Sequence, residues 1–134
     1  MIDKLDAALR FHQEALALRA KRQEILAANI ANADTPGYKA RDLDFAAQLQ
    51  RALQEPGDGA LALATSAARH LHAANAVATG PEIGWRVPAQ ASLDGNSVEM
   101  DAERVNFADN AVRYEAGLAA LNARIKSLLA AVQQ

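Results

Sequence analysis

Along the last third of the chain, Phe107, Ala111, Tyr114, Leu118, Leu121, Ile125, Leu128 and Val132 follow one another at alternating spacings of four and three. That spacing puts them on one face of a helix, predicted over 101–134, and a stripe held at 3.5 residues per turn supercoils left-handedly against a partner helix. Asp101 is a suitable N-cap with Met100 and Val105 placed to form a hydrophobic staple around it, and Asn96 with Glu99 offers a slightly earlier start. The first third carries a second stripe, Leu5, Leu9, His12, Leu16, Arg19, Gln23, Leu26 and Ile30, beside a neighbouring one of Phe11, Ala15, Leu18, Arg22 and Ile25. No Gly or Pro interrupts it, Asp3 and Asp6 suit the positive end of the helix dipole, and one helix is predicted over 1–33. Arg19, Lys21, Arg22 and Gln23 break its apolar face in the middle. An isolated two-stranded coil therefore fits poorly, and an assembly with several neighbours fits better.

Between the two stripes the pattern is punctuated. Pro36 restrains Thr35 away from helical angles, and Gly37 supplies the positive φ of a type II turn over Thr35-Pro36-Gly37-Tyr38. One turn earlier, Asn29 and Asn32 share a helical face, where short amides weaken a helix unless they bond to something specific. The expectation is that both bond across the helix interface and set its register, as buried Asn does in coiled coils. Leu43, Phe45, Ala46, Leu49 and Leu53 predict a short helix that stops at Glu55-Pro56-Gly57-Asp58-Gly59. The Ala-rich stretch 60–80 has few large side chains to anchor it and is expected to be a mobile connector. Trp85 to Leu93 has some β character, with Pro88 limiting it to an edge or irregular ribbon, and Asp94-Gly95-Asn96 makes a tight turn. The fold expected is mainly α in a single domain, 1–134. Its two long terminal helices form an antiparallel coiled-coil-like hairpin, with a short helix, a mobile connector and a small irregular β region in 34–100.

Composition narrows the chemistry. Of 134 residues 51% are hydrophobic but only 4% aromatic, so the core must be thin and built from closely approaching Ala and Leu helices. A net charge of -2 without basic clusters gives no electrostatic reason to expect nucleic acid. The absence of Cys removes disulfides, thiolate metal sites and cysteine nucleophiles. No apolar run is long enough to span a bilayer, and MIDKLDAALRFHQ lacks the basic start and apolar stretch of a cleavable signal, so any export is expected to use another route. His70 and His72 have no third ligand nearby and read as two exposed imidazoles. Ser66, Ser92, Ser97 and Ser127 have no His with an acidic orienting partner in a recognisable motif. Neither a phosphate cradle nor a paired-carboxylate setting is present. No catalytic, cofactor-binding or metal residue is assigned, and the chain is not expected to be an enzyme.

The segment RQEILAANIANADTPGYKARDLDF resembles the amino-terminal signature of the bacterial flagellar rod, hook and hook-associated axial proteins. DKLDAALRFHQEALALRAKRQ and DGNSVEMDAERVNFADNAVRYEAGL fit the proximal rod members of that family, so about half the chain is covered. Asn29, Asn32, Thr35, Pro36, Gly37 and Tyr38 match the axial-protein motif, and Arg41, Leu43 and Phe45 match the positions just after it; 54–84 matches weakly. The resemblance implies a subunit of the periplasmic drive shaft in the flagellar basal body, exported unfolded by the flagellar type III apparatus without a cleaved signal. It implies that the terminal helices form a coiled-coil inner domain and pack into a tube around the export channel. The implied partners are copies of the chain itself, the neighbouring rod proteins FlgC and FlgF, and the ring–rod adaptor FliE. Leu16, Leu26, Ile30, Phe107, Tyr114, Leu118, Leu121, Ile125 and Leu128 are then the helix-interface positions, while Tyr38 and Phe45 pack the turn back onto the helices. The competing expectations are a soluble helical adaptor of the export system, whose groove holds a partner helix, and a cell-wall hydrolase, for which no acid pair or metal centre is identifiable.

Overall fold

The computed structural model describes residues 2–54, 81–88, 90 and 92–133. Five elements follow in order: α1 (Ile2–Ala31), β1 (Arg41–Leu43), α2 (Phe45–Gln54), β2 (Ile83–Trp85) and α3 (Met100–Val132). The two long helices run antiparallel. Asn29 near the end of α1 meets Glu103 near the start of α3, Gln23 and Arg19 meet Asn110, and Leu16 meets Gly117. The fold is mainly α, as the two stripes predict.

One side of this hairpin is covered. Leu18 and Ile25 of α1 form a small core with Leu43 of β1, and Phe45 and Leu49 of α2 pack against it. Asp44 caps α2: its Oδ1 accepts from the Ala47 N–H at 3.0 Å, satisfying a donor that the first helical turn leaves open. Arg10 clips the other end by donating to the Ala52 carbonyl at 2.9 Å.

The irregular region is smaller than expected and differently placed. β2 stops at Trp85, and the 86–88 stretch before and including Pro88 is not strand. Its partner is β1, antiparallel, with Arg41 opposite Trp85 and Leu43 opposite Ile83. The pattern placed Leu43 in the short helix. It lies instead in a strand held by residues forty positions away, which no local period reveals.

Two glycine turns dock where α1 ends. Gly37 has φ +72° and Gly95 has φ +74°. The Tyr38 N–H closes the first turn on the Thr35 carbonyl at 3.2 Å, and the Gly37 N–H reaches the Asp94 carbonyl of the second at 3.0 Å. Asn96 binds them together: its Nδ2 donates to the carbonyls of Asn32 (3.1 Å), Ala33 (2.6 Å) and Thr35 (3.0 Å). Helix ends leave carbonyls without intrahelical partners, and here one buried amide serves the turn that leaves α1.

The start of α3 departs from expectation. The helix begins at Met100 with Glu99 as N-cap and no side-chain capping bond, so Asp101 lies in the first turn. Asn96 is occupied with the docked turns, and Val105 is exposed, so no staple forms. α1 stops two residues before the predicted 33 because Asn32 and Ala33 already belong to the turn. The connector 60–80, with His70 and His72, lies outside the described residues.

Candidate functional site

The centre of the α1–α3 seam is not the apolar stripe. Glu103, Asn110 and Gly117, spaced seven apart, are the α3 positions that point into α1. Glu103 and Asn110 are fully buried, and a Cβ on Gly117 would stand 3.0 Å from Leu16 Cδ2. Buried polar groups are tolerated only when they are hydrogen-bonded, and no buried side-chain polar atom among the described residues lacks a partner.

Asn29 shows how this works. Its Nδ2 donates to the Arg41 carbonyl (2.8 Å) and Glu103 Oε2 (3.2 Å), while its Oδ1 accepts from the Arg41 N–H (3.1 Å) and the Tyr38 hydroxyl (3.4 Å). The amide therefore pairs with both backbone groups of Arg41, as a neighbouring strand would, and reaches α3 as well. Asn32 does not cross the interface, contrary to expectation. Its Nδ2 donates to the Ala28 carbonyl in its own helix (2.8 Å), and its Oδ1 accepts from Thr35 Oγ1 (3.2 Å). The reason is position: Asn32 already lies in the turn, beyond the last residue that faces α3. Thr35 and Pro36 are exposed.

From Glu103 a chain of charges runs back to α1. Arg86 Nη1 donates to Glu103 Oε1, and Arg86 Nη2 donates to Asp42 Oδ2 at 2.6 Å. Arg22 Nε donates to Asp42 Oδ1 at 3.2 Å. The circuit thus joins α1, β1, the segment after β2, and α3. Burial alone would raise the Asp42 carboxyl, but hydrogen bonds from Arg22, Arg86 and the Leu43 N–H outweigh it and hold the group below the ordinary carboxylate value. A depressed carboxylate contributes stability above its unfolded pKa, about 3.9 for Asp, and loses it as pH falls through the folded value. Asp42→Asn should therefore lose less stability than wild type between pH 7 and acid, measured as urea midpoints across pH. Parallel pH profiles for the two proteins would refute this.

A second polar level lies two turns along. Asn110 Nδ2 donates to the Arg19 carbonyl (2.9 Å) and Gln23 Oε1 (2.6 Å), and Arg19 Nη1 donates to Asn110 Oδ1 (3.3 Å). The Arg19 guanidinium lies 3.8 Å over the Phe45 ring. Burial first, then Arg113 and Arg22, lower the Arg19 pKa. The charged middle of α1 is thus largely turned inward: Arg19, Arg22 and Gln23 bond within the fold, while Lys21 pairs with Glu24 at 2.7 Å on the surface.

On α3 the apolar stripe is offset to one flank of this seam, whereas the α1 stripe, through Leu16, Arg19 and Gln23, lies in it. Leu26 is fully buried, Leu16 packs on Gly117, and Ile30, Leu121 and Leu128 are half-buried. Other positions on this part of α3 are open to water: Leu118 and Ile125 are 38% exposed, neighbouring Leu129 55% and Val132 85%. Phe107 and Tyr114 line an apolar groove of about 500 Å³ with Ala20, Ala27 and Ala111, edged by Glu24 and Glu115. Ala20 and Ala27 lie about half a turn round α1 from Leu18 and Ile25, so this groove is on the side that α2 does not cover. Among the described residues no His, Cys, Asp and Glu cluster could hold a metal, and no helix is long and apolar enough to cross a membrane.

Residues 9–39 match the family model described as flagella basal body rod protein. Over its whole length the chain is 53% identical to the flagellar basal body rod protein FlgB of Yersinia ruckeri, covering 99% of that protein. It is 53% identical to FlgB of Escherichia coli K12 over 99% of this chain and 98% of that one, and 48% identical to FlgB of Cereibacter sphaeroides over 93% of each. The chain belongs to the flagellar basal body rod protein family. It is accordingly a structural subunit of the basal body rod, and the surface that matters is one for assembly. In this rod subunit the matched stretch comprises most of α1 and the Thr35–Tyr38 turn, including Asn29 and its Tyr38 partner. Sequence reasoning missed Glu103, Asn110, Gly117, Asp42 and Arg86, and it read Asn96 only as a turn residue and an alternative helix start. The one signal that would have found the first three is their seven-residue spacing beside the apolar stripe.

Proposed function

We propose that this rod subunit belongs to the proximal part of the rod and polymerises through α1 and α3 into a tube that lines the export channel and transmits torque. The observation that carries the proposal is the offset between the polar seam and the apolar stripe. The hairpin satisfies its own polar groups but leaves Leu118, Ile125, Leu129 and Val132 open to water. Exposed apolar area of this kind marks an interaction surface, and a helical assembly needs unlike faces of successive subunits to meet without closing a ring. Torque suits the seam. Apolar contacts are non-directional and allow helices to slide, whereas the Asn29–Glu103 and Asn110–Gln23 bonds resist a shift of register. In this reading Asn29 sets the register of the hairpin, and Leu118, Leu121, Ile125 and Leu128 serve the packing between and within subunits.

The same reading places the subunit in the periplasm, delivered by the flagellar type III apparatus without a cleaved signal. Its partners there are copies of itself, the rod proteins FlgC and FlgF, and the adaptor FliE. The test is electron microscopy of basal bodies from a strain lacking the chain, complemented with wild type or with Leu118, Leu121 and Ile125 all changed to Asp. Wild type should restore rods, and the triple variant should stop at the ring stage as the deletion does. Normal rods without the chain would end the proposal.

A further inference from the structure

We propose that the open groove between α1 and α3 takes the carboxy-terminal part of α3, around Ile125, Leu129 and Val132, from a second copy of the chain. The inference rests on the reading of the chain as a polymerising subunit, and it names the two surfaces that meet. The acceptor is shaped for a helix. Ala20, Ala27 and Ala111 let a backbone approach closely, and Phe107 and Tyr114 give the floor its apolar area. The donor is shaped as a ridge: Ile125, Leu129 and Val132 follow the i, i+4, i+7 spacing of helix-in-groove anchors, and all are exposed.

Charge identifies the occupant. Glu24 stands on the α1 rim of the groove and Glu115 on the α3 rim. After Glu115 the chain carries no acidic residue, and its only charged side chains, Arg124 and Lys126, flank Ile125 at about 100° on either side of the ridge. A helix laid ridge-down thus brings one cation to each acidic rim. Among the described residues neither Glu115 nor Arg124 nor Lys126 has an ion pair within the chain, and Glu24 has only the exposed Lys21. The donor cannot be the chain's own. The α3 wall of the groove and the ridge lie on one unbroken helix, Met100–Val132, with their centres roughly 25 Å apart along its axis. Only another copy can bring the ridge to the groove.

The natural absence of Cys makes a direct test possible. Full-length Ala111→Cys and Leu129→Cys proteins, each checked for wild-type helicity, are mixed under mild oxidation, with Val112→Cys on the outward face of α3 as the control acceptor. The A111C–L129C disulfide should exceed the V112C–L129C one about tenfold. Glu24→Lys with Glu115→Lys on the acceptor should cut its yield about fivefold, on the scale of two exposed charge pairs, and Arg124→Glu with Lys126→Glu on the donor should restore it. Equal yields at Ala111 and Val112, indifference to charge reversal, or capture of a different protein by A111C in isolated basal bodies would overturn the pairing. Such a failure is distinct from failure of the underlying reading. If the deletion strain still lacks rods, the subunit role stands and only the groove assignment falls.

Discussion

Glu103→Ala should destabilise the isolated chain by about 3–5 kcal/mol, a large part of the 5–15 kcal/mol typical of a whole domain. The carboxylate is fully buried and receives Arg86 Nη1 and Asn29 Nδ2. Its removal leaves part of a guanidinium and one amide hydrogen without their protein partners. A buried ion pair is costly to break from one side, yet its net value against well-packed apolar residues is small. The double change Glu103→Leu with Arg86→Met should therefore recover much of what Glu103→Ala loses. Urea unfolding of wild type, both single variants and the pair would measure this, and a loss under about 1 kcal/mol for Glu103→Ala would show that the circuit is not a determinant of stability.

Gly117 should discriminate sharply by size. A Cβ there meets only the far end of Leu16, 3.0 Å from Cδ2 and 3.7 Å from Cγ, and that side chain can yield. Gly117→Ala should be close to neutral, because its helix propensity gain of about 1 kcal/mol offsets the crowding. Gly117→Ile has no such room. It must push α1 from α3 two turns from Asn110, where the bonds to Arg19 and Gln23 tolerate little movement, and a cost of about 1–3 kcal/mol or more is expected. Leu16→Ala in the same chain vacates the space and should restore both thermal stability and rod formation in complemented cells. An unimpaired Gly117→Ile protein would mean that the helices do not approach closely at this point.

Both predictions concern residues that the amino-acid pattern did not single out, and the reason is physical. A helix period sorts apolar from polar positions, and it assigns Glu and Asn to the solvent side because burial without partners is costly. The partners that make Glu103 and Asn110 affordable inside lie 17 to 91 residues away, beyond the reach of any local rule. The same limit hid β1, whose three residues become a strand only through pairing with β2. By contrast the long helices and the Thr35–Tyr38 turn were legible, since periodicity and a Pro-Gly pair act on neighbours. Asn29 stood out as an amide in a costly place, and it proves to be the one that reaches α3. Asn32 carried the same signal and has a local role.

The Asn96 amide bears on the order in which this structure can form. The carbonyls it serves are 61 to 64 residues earlier in the chain. A polypeptide that emerges amino end first therefore presents α1 and its turn, whose own bonds run from the Thr35 N–H to Asn32 and from the Tyr38 N–H to Thr35, long before Asn96 can dock on it. Glu103, the α3 partner of Asn29, arrives a few residues later still. The turn can thus form locally while its docking waits until most of the chain is in hand, and local helix formation is joined to long-range closure in one late step.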